Sequence, residues 1–168
     1  MAIWQYLLIV VPENSIDSNY QCIFKNNKTK YLPQTKAFWK DFSGDVASIV
    51  SEMNQIIPKA DWGDDTCICW KGNSNNEEDN DASISLNKDQ TKIKEFHFRI
   101  DLRKASNITD VLQSILEICI QHKLVLINLK GDIFKPELKD IMQGIQTSNA
   151  MSFISDPVKF FEDLSNKK

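Results

Sequence analysis

Residues 95–103 read Glu95-Phe96-His97-Phe98-Arg99-Ile100-Asp101-Leu102-Arg103. In an extended chain successive side chains point to opposite faces, so Phe96, Phe98, Ile100 and Leu102 share one side. Glu95, His97, Arg99, Asp101 and Arg103 share the other. This alternation predicts a strand with one face in the core and one face polar. The flanking residues extend it to 92–103, and Ala82 to Asn87 repeats the pattern, with Ile84 and Leu86 inward and Ser83 and Ser85 outward. Lys88-Asp89-Gln90 turns between them, and Thr66 to Lys71 reads as a further strand, which gives an antiparallel meander.

Outside this meander the period changes. Val46, Ile49, Val50, Met53, Ile56 and Ile57 recur at three- and four-residue spacing, and Pro58 ends that helix. Phe38, Trp39 and Phe42 suggest a preceding helical turn. Ile108, Val111, Leu112, Ile115, Leu116 and Cys119 form a second helical stripe, for which Asn107 is a fitting N-cap. Pro136 opens a third helix through Leu138, Ile141, Met142 and Ile145, and Asp156-Pro157 opens a last short one. Ile3 to Val11 is a nearly unbroken apolar run, the pattern of a strand covered on both faces and central in its sheet. Leu124 to Leu129 is another strand, Lys130-Gly131-Asp132 a turn, and Ile133-Phe134 a brief extension. A short strand at Gln21 to Phe24 and a turn at Asn26 to Lys28 are also expected. Strands grouped between helices predict an α+β fold, with a mostly antiparallel or mixed sheet and the helices packed mainly on one face.

The chain has 168 residues, 42% hydrophobic and 26% charged, so residues 1–168 are expected to form one domain with an ample core. A net charge of −3 and scattered Lys and Arg give no electrostatic drive toward phosphate backbones, and nucleic acid is not expected as a partner. The first residues lack a basic region and a small-residue cleavage site, and the apolar run is too short for a membrane helix. A cytoplasmic protein is expected. The four cysteines, Cys22, Cys67, Cys69 and Cys119, then read as free and packed thiols. Cys67 and Cys69 share a face, but no second pair completes a zinc set. Asp61, Asp64 and Asp65 lack calcium-loop spacing, so no metal and no cofactor is expected.

Two features remain as candidate sites. Residues 72–82 hold a glycine, asparagines and the acids Glu77, Glu78, Asp79 and Asp81, which predicts a solvated acidic loop. Beside it, Trp62 and Trp70 bracket a turn containing Asp64 and Asp65. Tryptophan supplies contact area and acids steer encounter, a combination suited to a basic protein partner. Trp70 shares a face with Ile68 and reads as core. The second feature is the charged row Glu95, His97, Arg99, Asp101 and Arg103, either a platform for a partner or ligand or a solvated face laced with ion pairs. His97 beside Glu95 or Asp101 could serve as a general acid–base group, and no nucleophile motif accompanies it. His122, at a helix end, is expected to meet that helix's last carbonyls.

A small, acidic α+β protein with asparagine-rich loops and no catalytic set resembles, in type, the immunity proteins that neutralise bacterial toxins. Trp62 to Lys71 and Ser148 to Pro157 are its motif-like segments. The resemblance implies a protein that binds another protein, a basic toxin domain, and blocks its active site with an acidic surface. A ligand-binding or enzymatic domain built on the His97 row is the alternative, and a self-associating structural subunit the third.

Overall fold

The computed structural model describes residues 2–16, 37–72 and 78–166, without side chains at 105–107. The expected strand at 21–24, the turn at 26–28, Cys22 and Glu77 lie outside the described residues. Within them the fold is α+β, with five α-helices beside a seven-stranded antiparallel sheet. The strands are β1 (Gln5–Pro12), β2 (Lys59–Asp64), β3 (Cys67–Lys71), β4 (Asp81–Leu86), β5 (Ile93–Asp101), β6 (Leu124–Asn128) and β7 (Ile133–Phe134). The helices are α1 (Val46–Ile56), α2 (Ala105–Gln121), α3 (Leu138–Gln146), α4 (Asn149–Ser155) and α5 (Pro157–Ser165). The sheet order is β2-β3-β4-β5-β1-β6-β7, which places the apolar β1 inside, paired to β5 and β6.

Register assigns the two faces. Trp70, Ala82, Phe98, Leu8 and Asn128 lie in one cross-strand row, and Ile68, Ile84, Phe96, Val10 and Leu126 in the next. Helices α1, α2 and α3 cover this face. Asn54 of α1 accepts a hydrogen bond from the Trp70 indole at 2.9 Å, α2 packs on β5 and β6, and α3 lies over Phe134 and Tyr6. Phe96, Phe98, Ile84, Trp70 and Leu8 are fully buried there. Burying one large apolar side chain contributes ~1.5–3 kcal/mol, so this layer dominates the stability of the fold.

The opposite face is not uniformly bare. Over β1 and β6 it carries Ile9, Val11, Val125 and Ile127, all buried, as the unbroken apolar runs require. Only its β2–β5 half is polar, and the candidate residues lie on that half.

Several local readings are corrected. β2 is an unforeseen strand at the sheet edge, where most of its side chains meet solvent and need no apolar alternation. Helix α2 starts at Ala105 with Lys104 at its N-cap, three residues before the expected N-cap Asn107. Helix α4 is additional, capped by Ser148 Oγ, which accepts from the Met151 amide at 3.1 Å. Residues 78–82 are not merely a solvated loop: Asn80 and Asp81 are buried, and Asp81 and Ala82 begin β4. Among the described residues no helix is long and apolar enough to cross a membrane.

Candidate functional site

The two features that stood apart in sequence meet in space. β4 pairs with β5 so that Asp81 faces Arg99, Ser83 faces His97 and Ser85 faces Glu95. β3 extends the same rows with Lys71, Cys69 and Cys67. β1 closes the other side, with Leu7 beside Arg99 and Gln5 beside Asp101.

At one end of this face the charges are internally paired. Arg99 Nε donates to Asp81 Oδ1 at 2.6 Å, and Arg103 Nη2 donates to Asp101 Oδ2 at 2.6 Å. Lys71 pairs with Asp79. The Asp79 carboxylate also accepts from the Trp4 indole at 3.1 Å, while the Asp79 amide donates to Asp101 at 3.1 Å. Gln5 Nε2 bridges the Asp79 carbonyl at 2.5 Å and the Asp81 carboxylate at 3.1 Å. Asn80 accepts from the Asp101 amide at 2.8 Å, and the Arg103 guanidinium lies 4.6 Å from the Trp4 ring centre. Burial alone would raise the Asp101 carboxyl, but hydrogen bonds from Arg103, its charge, and the Asp79 amide together hold it below the usual carboxylate value. Three cations here match three carboxylates. The polar half-face is therefore a strap that ties residues 79–81 to the ends of β1 and β5. Glu78, half-buried, also has interaction partners.

In the middle of the face, Ser83 Oγ lies 3.2 Å from His97 Nε2, and His97 Nδ1 lies 3.1 Å from Glu95 Oε1. This is the order of a nucleophile, base and orienting acid. The remaining histidine corrects its reading: the His122 ring contacts both Glu52 oxygens at 3.1 and 3.2 Å and ties α2 to α1. Beside it, Glu13, Phe42, Ser43 and His122 border an open cleft of 540 Å³.

The β2–β3 hairpin is different in kind. Trp62 is 54% exposed, and Asp61, Asp64 and Asp65 beside it are exposed too. Asp64 takes hydrogen bonds from the Thr66 hydroxyl at 2.8 Å, the Thr66 amide at 2.7 Å and the Cys67 amide at 2.8 Å. The side-chain bond from Thr66 and then these amides lower its carboxyl below the usual range. Among the described residues no ion pair engages these three acids. Gly63 holds the turn with φ +107, and a Cβ there would meet the Cys67 carbonyl at 2.4 Å.

Of the predicted site residues, Asp79, Asp81, Arg99, Asp101 and Arg103 form the strap, and Glu95 and His97 form the relay. Trp62, Asp64 and Asp65 form the hairpin surface. Sequence reasoning missed Trp4, Gln5, Lys71 and Asn80. Trp4 and Gln5 reach Asp79 and Asp81 across more than 70 positions, a distance no local pattern crosses. Among the described residues no group of three His, Cys, Asp or Glu could hold a metal ion. Compared with known proteins, the chain has no significant match to any family model, curated protein or solved structure.

Proposed function

We propose that this chain is a protein-binding domain that docks a basic partner on its β2–β3 hairpin, in the manner of immunity proteins that occlude a toxin. The observation that carries this reading is Trp62, more than half exposed on the outermost strand, in a hairpin segment that also exposes Asp61, Asp64 and Asp65. A large exposed aromatic at the centre of a contact is the residue type that most often dominates binding energy. The neighbouring acids add encounter rate and salt dependence. The docking surface thus moves from the loop at 77–81 to residues 61–65, because Asp79 and Asp81 already have cationic partners. The domain is proposed to act in the cytoplasm, where Cys67 and Cys69 remain thiols.

The test is parallel affinity capture with the wild-type chain and a Trp62→Ala/Asp65→Lys variant. A single protein retained by the first and lost by the second, binding as a purified species about 30-fold or more weaker to the variant, is expected from a ~2 kcal/mol hot spot. Equal retention by both chains removes this surface from consideration.

The Ser83–His97–Glu95 relay favours a second reading, acyl transfer on the outer face. The strand amides around Ser83 serve the sheet ladder, and the nearest guanidinium, Arg99, is held by Asp81, so an oxyanion would lack a ready donor. Labelling of Ser83 by a fluorophosphonate, abolished in His97→Ala, would bring this reading forward. An unlabelled Ser83 would end it.

A further inference from the structure

Two thiols stand side by side on the outer face of β3. Cys67 Sγ and Cys69 Sγ are 3.9 Å apart, both half-buried, and neither is in a disulfide. Their surroundings are small. Ser85 and Ser83 lie directly across on β4, and Gly63 lies on the β2 side, its Cβ direction 3.5 Å from Cys69 Sγ. Access from solvent is therefore framed by two hydroxymethyl groups and a glycine.

The spacing favours a bridging atom over a direct bond. Residues two apart on a strand have Cα atoms ~6.8 Å apart, at the outer limit for a disulfide, whose sulfurs must close to ~2.05 Å. Two sulfurs each ~2.3 Å from one tetrahedral centre stand ~3.8 Å apart. The observed separation lies close to the second case, and a pyramidal trivalent centre, whose angles are narrower, draws the sulfurs somewhat closer by side-chain rotation rather than strand movement. The ligand count then selects the guest. No third protein donor joins the pair among the described residues, whereas zinc in a structural site asks for four. A trivalent metalloid that carries one substituent of its own asks for two thiols.

We propose that Cys67 and Cys69 form a dithiol site for a trivalent, thiophilic metalloid of the monosubstituted arsenical class. With phenylarsine oxide, two S–H bonds and the arsenic–oxygen bond break and two As–S bonds form. The oxygen leaves as water with both thiol protons, and no electron is transferred. Burial, then the neighbouring Cys67, raises the Cys69 thiol above its ordinary pKa. Cys69 therefore holds its proton at neutral pH, and that proton leaves with the oxygen as water. Cys119 is fully buried under the helices and does not compete.

The test uses the full chain and phenylarsine oxide, read by intact mass and by counting reactive thiols. One phenylarsenic group per chain is expected, with two thiols consumed, stable to excess glutathione and released by ethanedithiol. Cys67→Ser and Cys69→Ser should each weaken retention ~100-fold, the loss expected when a two-point attachment becomes one-point. The Cys22→Ser/Cys119→Ser variant, which leaves both β3 thiols intact, should bind as wild type does. Loss of the adduct in that variant, or its survival in Cys67→Ser and Cys69→Ser, would overturn the assignment.

Discussion

Replacing Asp81 by alanine tests whether the polar half-face is a strap or an open acidic surface. Asp81 is 8% exposed and accepts from Arg99 Nε at 2.6 Å and from Gln5 Nε2 at 3.1 Å. A hydrogen bond to a charged group contributes ~1.5–3 kcal/mol. Gln5 keeps its bond to the Asp79 carbonyl, so little is added from that side. Arg99 is left without its carboxylate, which would cost ~3–5 kcal/mol in a sealed interior. Its side chain is 27% exposed, however, and water takes up part of the vacancy. A loss of ~2–3 kcal/mol is expected. Urea unfolding followed by tryptophan fluorescence should show a lower midpoint with an unchanged slope, the mark of altered stability rather than an altered denatured state. Asp81→Asn, which retains an acceptor for Gln5, should lose about half as much. The Asp81→Ala/Arg99→Ala double variant should fall well short of the summed single losses, by ~1 kcal/mol or more. An Asp81→Ala loss below ~0.5 kcal/mol, the range of ordinary surface substitutions, would refute the strap.

Asp101, whose folded pKa lies below its usual value of 3.8, contributes stability that is present above that value and lost as pH falls through the folded pKa. Unfolding midpoints measured from pH 5 downward should therefore fall more steeply for wild type than for Asp101→Asn. Gly144→Ala gains helix propensity of ~1 kcal/mol but places a Cβ 2.8 Å from both the Phe134 ring and the Tyr6 hydroxyl. Overpacking costs ~1–3 kcal/mol, so a net loss in thermal stability is expected, and a gain would mean that α3 can lift. Burial raises the Cys119 thiol to about 12, so iodoacetamide should leave Cys119 unmodified in the native chain at pH 8 and alkylate it once urea unfolds the core.

What was legible in the sequence followed from burial. Phe96, Phe98 and Ile100 alternate because one face of β5 is sealed by helices, and the run before Pro12 does not alternate because β1 is sealed on both faces. Where burial is slight, the signal fails: Lys59–Asp64 forms a strand on backbone pairing with β3, and its side chains carry no period. The charged row was legible as a row, but not its partners. Arg99 meets Asp81 and Asp101 meets Asn80 only because β4 folds back on β5 in one register, and the acids of a supposed loop become counter-ions of a neighbouring strand. His122 departs from expectation for a related reason: a helix-end position suggests a local contact, whereas Glu52 arrives from α1.

The outermost strands also govern how such a sheet behaves in a crowded solution. Among the described residues β2 is an edge strand, and such an edge would offer its outer amides and carbonyls to any extended chain, were it straight. Between Lys59 and Gly63 its pairing with β3 slips, as happens where residues bulge from a ladder, and Gly63 takes a left-handed backbone. Asp61 and Asp64 add like charge, which repels an identical edge. At the far side β7 is two residues long, too short to template a neighbour. Both ends are thus poor seeds for edge-to-edge growth, and concentrated protein should resist fibril formation as long as the hairpin keeps its kink.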